Sequence, residues 1–342
     1  MPGIGPAELV AGIALMALTA YVLLGGADFG GGVWDLLASG PRKRKQRALI
    51  AEAIGPIWEA NHVWLILVIV VLFTCFPVAF ARLAIGLHIP LSLMLIGIVL
   101  RGSAFTFRSH YGHDGEHGGD AGTSGRWARV FAIASVGTPV MLGLCVSALA
   151  AGTLRPPGRG GFHASYVAPW LTPFGVGVGL LTLALFAFLA AVYLTVEARE
   201  PVLREDFRRR ALGAAAAVFV AAFGTLGLAL LGAPLMGRGL TTEPWAPALH
   251  LATGVAAISA IWALWSRRFR LARVAAAAQV SLILWGWALA QYPYLIPPDL
   301  TIRAAAAPRI TLVLSVWTLG LGTLVLFPSL IYLFRVFKPA PR

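Results

Sequence analysis

The chain has 342 residues, of which 58% are apolar and 12% are Asp, Glu, Lys or Arg, and its mean hydropathy is +0.80. A soluble domain is about 25% charged, so this chain has too little polar surface to coat a water-soluble globule. Soluble enzymes, disordered chains and secreted disulfide scaffolds are excluded, and a polytopic all-α membrane protein remains. The net charge of +13 comes from 27 Lys+Arg against 14 Asp+Glu. These cations lie between apolar blocks, where they set topology and meet anionic lipid headgroups rather than nucleic acid. Cys75 and Cys145 lie inside apolar blocks without C-x-x-C spacing, which argues against zinc, covalent c-type haem and a disulfide framework.

A spanning helix needs about 20 mostly apolar residues. Such blocks occur at 8–34, 50–81, 83–100, 128–151, 172–196, 211–236, 247–266, 274–296 and 309–334, which predicts nine transmembrane helices. No Lys or Arg precedes the first block, so it reads as a retained helix rather than a cleaved signal peptide. With Arg129 and Arg309, at the first residues of their blocks, counted in the gaps they adjoin, the eight gaps carry 5, 1, 4, 2, 5, 1, 4 and 2 Lys+Arg, and the C-terminal tail carries 3. Alternate gaps therefore total 21 and 6. The positive-inside rule puts the rich side in the cytoplasm, with the N-terminus outside and the C-terminus inside. The repeated 5-1-4-2 series predicts two four-helix bundles, 1–151 and 172–296, followed by a ninth, peripheral helix at 309–334. Pro56, Pro77, Pro90, Pro139, Pro173, Pro234, Pro293 and Pro328 lie in or beside spans and read as kinks satisfied by neighbouring helices.

Ionisable groups within the bilayer cost roughly 2.5–3.5 kcal/mol each on insertion scales, so each needs a partner or a task. Asp28 stands in the glycine-rich run GGADFGGGVWD at the predicted cytoplasmic end of block one. No Lys-Ser/Thr follows it, which removes a phosphate loop. Block two opens with AEAIGPIWEANHVWLI, residues 51–66. Read as one helix, it puts Glu52 and Glu59, seven apart, on one face, with His62 one turn beyond Glu59. Asn61, Trp58 and Trp64 add a polar and aromatic band, and Arg101 closes block three in LRGSAFTFR. Asp28, Glu52, Glu59, His62 and Arg101 are thus expected to meet toward the cytoplasmic side. Such a group suits proton uptake, because buried carboxylates and histidine can titrate near neutral pH. A structural ion-pair network that locks helix packing explains the same spacing equally well.

Other features read more plainly. Glu59-x-x-His62 is half of a carboxylate-bridged di-iron pattern, but the chain has no second copy, and no metal site is expected. His88 and His250 are lone intramembrane histidines, better read as hydrogen-bonded to neighbouring helices than as haem ligands. HYGHDGEHGGD, residues 110–120, reads as a solvated loop. Trp285, Trp287, Tyr292 and Tyr294, at the outer end of block eight, read as an interfacial belt.

These pieces resemble one family. GGADFGGG is similar to the first-helix signature of subunit II of cytochrome bd-type quinol oxidases. IGPIWEANHVWLI resembles its P-x-W-D-G-N-x-V-W-L-I motif, and LRGSAFTFR its L-R-G-x-x-F-E-F-R stretch. LTPFGVGVGLL (171–181), QYPYLIPPDLTI and IYLFRVFK also look like family segments. Glu59 stands where the family usually has Asp, Ala60 for Gly, His62 for Glu or Gln, and Thr106 where Glu is common. The departures point toward the cyanide-insensitive branch.

The resemblance implies the non-haem subunit of a bacterial inner-membrane heterodimer that oxidises quinol and reduces dioxygen. It implies haem b and haem d, or b in place of d, in the partner subunit I, quinol as substrate, and room for a structural quinone and small accessory membrane subunits. By motif, it implies Glu59 as proton relay, Asp28 as its neighbour, His62 as co-relay, and Trp58, Asn61 and Arg101 as the environment of the partner's haems. A proton-coupled transporter and a scaffold without chemistry remain as alternatives. Transporters usually hold coupling residues at the midplane, on broken helices, whereas these charges cluster toward one end.

Overall fold

A computed structural model describes residues 5–55, 58–113, 121–154 and 161–337. Its elements in chain order are α1 (Pro6–Leu36), α2 (Lys43–Ile54), α3 (Trp58–Cys75), α4 (Pro77–Gly86), α5 (His88–His113), α6 (Ala121–Ala151), α7 (Gly161–Tyr166), α8 (Pro173–Glu197), α9 (Pro201–Gly232), α10 (Pro234–Thr241), α11 (Ala246–Trp265) and α12 (Phe269–Gln291), then the strands β1 (Tyr294–Ile296) and β2 (Leu300–Thr301), and finally α13 (Ile302–Ala305) and α14 (Arg309–Phe337). Among the described residues, nine helices are long and apolar enough to cross a membrane: α1, α3, α5, α6, α8, α9, α11, α12 and α14.

The nine spans match the expected number, but block two divides differently. Its 50–81 stretch is three helices rather than one. α2 ends at Ile54, before Pro56, and α3 begins at Trp58. Gly55 closes α2, its N–H bonded to the Ala51 carbonyl, and residues 56–57 lie outside the described residues. A second break falls at Phe76, which caps α4 with Pro77 in its first turn. α2 is amphipathic. Gln46, Ile50 and Ile54, at i+4 spacing, form its buried stripe, and Lys43, Arg44, Lys45 and Arg47 stand among the remaining positions.

A helix loses least from a proline in its first turn. Pro173, Pro201 and Pro234 occupy the first turn of α8, α9 and α10, where a missing N–H would be unpaired anyway. Pro139 and Pro328 lie inside α6 and α14. α5 runs on to His113, so the histidine-rich stretch begins in helix, and residues 114–120 lie outside the described residues. Block eight ends as helix at Gln291. Beyond it β1 and β2 pair antiparallel, and the Gln291 side-chain amide donates to the Leu295 carbonyl at 2.8 Å.

α1 is the organising helix. Its 31 residues reach about 46 Å at 1.5 Å each, beyond the roughly 30 Å hydrocarbon thickness. It packs against α3, α6, α8, α12 and α14. Its mean burial is uneven: from Gly25 to Asp35 only Ala27 and Val33 are not buried. Glycine is what permits this. A Cβ at Gly26 would lie 2.7 Å from the Phe186 ring, one at Gly30 would overlap the Phe186 carbonyl, and one at Gly32 would collide with the Ser135 hydroxyl. Close approach through small residues is what drives association where lipid competes for apolar contact. The core formed here runs through Tyr21, Phe29, Phe186, Leu189 and Phe207. α14 is the opposite case, with 6% of its most apolar window buried within the chain.

Candidate functional site

The polar centre forms where α1, α3 and α5 meet. On α1, Tyr21, Asp28 and Asp35 recur every seven residues, so they share one helix face, and all three are buried. Asn61 of α3 is 2% exposed, and its side-chain amide donates to Asp28 Oδ2 at 2.7 Å. Arg101 of α5 is also 2% exposed. Its guanidinium carbon sits 4.7 Å from the Phe29 ring centre and 5.4 Å from that of Phe131, within electrostatic reach of Asp28 and Tyr21. Arg101 Nε and Nη2 have no hydrogen-bond partner among the described residues. A guanidinium stacked on aromatic faces gains cation–π attraction, but a fully buried cation also needs a negative charge nearby, and Asp28 supplies it.

Trp58 and His62 close one side of this centre. The His62 ring packs 5.8 Å from Tyr21, 5.9 Å from Phe29 and 6.1 Å from Trp58, and neither ring nitrogen has a partner among the described residues. Trp58 reaches across to α5, where a Cβ at Gly102 would lie 2.8 Å from its Cη2. Glycine at 102 is therefore what admits the indole.

Five of the six motif-derived residues converge in this way. Glu59 does not join them. It is exposed on the surface of this chain, and so is Glu52. The reason is angular. Successive helical residues turn by about 100°, so Asn61 and Glu59 point to opposite sides of α3. With Asn61 turned onto Asp28, Glu59 must face outward. Glu52 belongs to α2 rather than to the same helix, and its carboxylate lies 3.8 Å from Arg199. The expectation that Glu52 and Glu59 share one face fails because they belong to different helices, α2 and α3.

A cavity of ≈ 120 Å³ adjoins the Asp28–Asn61 pair, between α1, α2, α8 and α12. Tyr193, Glu197 and Arg273 contribute to its polar lining, and Ala53 and Ile54 of α2 border it. The sequence reading missed this group. Asp35 was also missed, although its spacing from Asp28 placed it on the same face. Its carboxylate lies 3.7 Å from Arg47 Nε. Glu197 and Arg273 stand at the ends of spans, where charge is ordinary, and no local pattern joins α8 to α12.

α2 is tied over this end of the bundle. Arg42 makes two hydrogen bonds to Asp206, at 2.8 and 2.7 Å, and the Gln46 amide donates to the same carboxylate at 2.9 Å. Lys45 pairs with Glu200 at 2.9 Å. The Asp206 carboxylate holds the Arg42 guanidinium above its usual range. Beneath, Trp34 Nε1 donates to the Ala187 carbonyl at 2.7 Å, joining α1 to α8.

Among the described residues, His62, His88 and His250 do not fit as haem ligands. His88 donates from Nδ1 to the Ile85 carbonyl at 2.9 Å, and His250 from Nε2 to the Leu240 carbonyl at 2.7 Å. His62 is boxed by three aromatic rings. The cavity is far below the roughly 300–1,000 Å³ of sites for organic ligands. Among the described residues, no group of three or more His, Cys, Asp or Glu could hold a metal ion.

Comparison with known proteins follows the same lines. "Cytochrome bd ubiquinol oxidase subunit 2" of Bacillus subtilis (strain 168) is 37% identical over 93 residues, 27% of this chain and 27% of that protein. "Cytochrome bd-I ubiquinol oxidase subunit 2" of Escherichia coli (strain K12) is 24% identical over 197 residues, 54% of this chain and 46% of that protein. The aligned parts thus span between about a quarter and half of these relatives' length. The bd oxidase structure from Geobacillus thermodenitrificans superposes with a TM-score of 0.80 at 19% identity, covering 98% of this chain and 99% of that one, which establishes a shared fold. The family profile described as cytochrome bd terminal oxidase subunit II matches residues 6–337. With that match running nearly from end to end, the chain belongs to the cytochrome bd terminal oxidase subunit II family.

Proposed function

We propose that this chain is the non-haem subunit of a heterodimeric quinol:dioxygen oxidoreductase of the aerobic respiratory chain, and that it supports proton delivery from the cytoplasm to the haems of subunit I. In this reading the haems, b and d or b in place of d, belong to the partner, which also handles quinol, and the complex sits in the bacterial inner membrane with the arginine-rich turns of this chain inward. The observation that carries the proton role is the buried Asp28–Asn61 hydrogen bond beside Arg101. A carboxylate sunk this far among apolar helices is expensive, and intramembrane ionisable groups mark ion pathways by default. Arg101 places a positive charge within electrostatic reach of the Asp28 carboxylate. Asn61 orients the carboxylate.

Glu59 acts one step further on. Its outward position on α3, a helix with 17% of its most apolar window buried within the chain, suits a carboxylate that faces the partner subunit. His62, boxed beneath Trp58, is placed between the Asp28 side of α3 and the surface. Protons would pass from Asp28 toward Glu59 and then leave this chain.

The test is made on the two-chain oxidase. Glu59→Gln and Asp28→Asn should each lower quinol-dependent oxygen consumption while the haem spectrum of the complex stays as in the parent. Parental turnover in both variants would leave these carboxylates as packing elements only. An isolated chain that carries haem would overturn the division of labour.

A further inference from the structure

We propose that the ≈ 120 Å³ cavity between α1, α2, α8 and α12 is a water-filled inlet, with Glu197 as the group that collects protons at its mouth. The inference rests on the proton-delivery reading and supplies what that reading lacks, a route from water to Asp28. Asp28 is 5% exposed and Asn61 2%, so no proton reaches them from bulk solvent without a passage.

The cavity has the right two ends. Its floor is the buried Asp28–Asn61 pair. Its outer lining is Glu197, half-buried at the last position of α8, and Arg273, exposed in the first turns of α12. Both stand on the face that carries the arginine-rich turns. The Arg273 guanidinium lies 5.0 Å from the Tyr193 ring centre, so Tyr193 holds that side chain against the wall of the passage. A cavity takes a water when it offers about 10–15 Å³ and polar partners for it. This one has room for several, and five polar side chains, Asp28, Asn61, Tyr193, Glu197 and Arg273, to bind them.

The chemistry balances without any other reagent. The Glu197 carboxylate takes a proton from hydronium and releases water. The carboxylic acid so formed passes the proton along the waters to the Asp28 carboxylate and returns to its anionic form. Arg273 at the mouth and Arg101 behind the floor are fixed cations at the two ends. Other charged groups at this end are paired among themselves: Glu52 with Arg199 at 3.8 Å, Asp35 with Arg47 at 3.7 Å, Asp206 with Arg42 at 2.7 Å and Glu200 with Lys45 at 2.9 Å. Ala53 and Ile54 of α2 cover the passage from above, which ties its opening to the Arg42–Asp206 and Lys45–Glu200 contacts that hold α2 in place.

Two measurements on the two-chain oxidase in membrane vesicles test this. The first is thiol accessibility. Cys75 and Cys145 are buried, so the parent should not react with a charged, membrane-impermeant methanethiosulfonate. Ala53→Cys at the mouth and Ala27→Cys or Leu24→Cys deeper in should be labelled from the arginine-rich side and not from the other, while Leu321→Cys on the outer face of α14 stays unlabelled. Labelling at 53 with none at 24 or 27 would mean a dry, closed cavity and would overturn the proposal.

The second measurement is turnover. Glu197→Gln should slow oxygen uptake roughly ten-fold, at the low end of what positioned proton donors contribute. Glu197→Asp should restore most of it, and electron delivery to the haems in a single turnover should be unchanged in both. If Glu197→Gln turns over like the parent while Asp28→Asn is slow, the inlet is wrong and the relay reading survives. If both turn over like the parent, both readings fail.

Discussion

Gly30→Ala is the sharpest probe of the architecture that holds this site. A Cβ at residue 30 would overlap the Phe186 carbonyl and lie 2.8 Å from the Ala190 Cβ. Carbon atoms in contact prefer about 3.5–4.0 Å, so α1 and α8 must separate by roughly 1 Å on the Ala190 contact alone, and further at the carbonyl. Overpacking of this kind costs about 1–3 kcal/mol. It competes with the gain of about 0.5–1 kcal/mol that alanine brings to a helix by restricting the unfolded chain. The same substitution at Gly213, where nothing lies within 4 Å, brings only the gain. The two variants should therefore move stability in opposite directions.

Thermal unfolding of the purified complex, followed by tryptophan fluorescence, reads the sign. Trp34, one of 11 tryptophans that contribute to this signal, makes the neighbouring α1–α8 hydrogen bond. Gly30→Ala should also slow oxygen uptake, because widening the α1–α8 seam changes the cavity that Gly31 and Ala190 line. Stability equal to or above the parent for Gly30→Ala would refute the claim that glycine is there for close approach.

Other expectations follow from the same contacts. Asp28→Asn and Arg101→Gln should each destabilise by about 3–5 kcal/mol, the cost of stranding one partner of a buried pair, and the double variant should cost clearly less than their sum. Additivity within about 0.5 kcal/mol in that cycle would mean the two charges do not support one another. Trp34→Phe loses both the hydrogen bond to the Ala187 carbonyl and part of the buried ring volume, and should cost more than the roughly 1 kcal/mol of the hydrogen bond alone in the same unfolding assay. Asp206→Asn should speed hydrogen exchange of the α2 amides, since Arg42 and Gln46 both bond to that carboxylate. High salt should shrink the difference from the parent, as screening weakens exposed pairs; exchange unchanged at low salt would show that the apolar stripe of Ile50 and Ile54 alone seats α2.

The sequence by itself determined the membrane setting and the number of spans. Hydrocarbon tolerates no unpaired backbone, so each crossing must be a long apolar helix, and such helices announce themselves in hydropathy and in the alternation of Lys and Arg between them. It also marked Asp28, Trp58, Asn61 and Arg101, because a polar group in an apolar run has to be paid for by a contact that the chain then keeps. Where the sequence reading went astray, the missing information was angular or long-range. The end of α2 at Ile54 leaves Glu52 off α3, and the turn that brings Asn61 to Asp28 sends Glu59 outward. A hydropathy window averages over both events. The cavity beside Asp28 is lined by Glu197 and Arg273, which are 169 and 245 positions away along the chain. Only the packing of α8 and α12 onto the glycine face of α1 decided that they would line the same space.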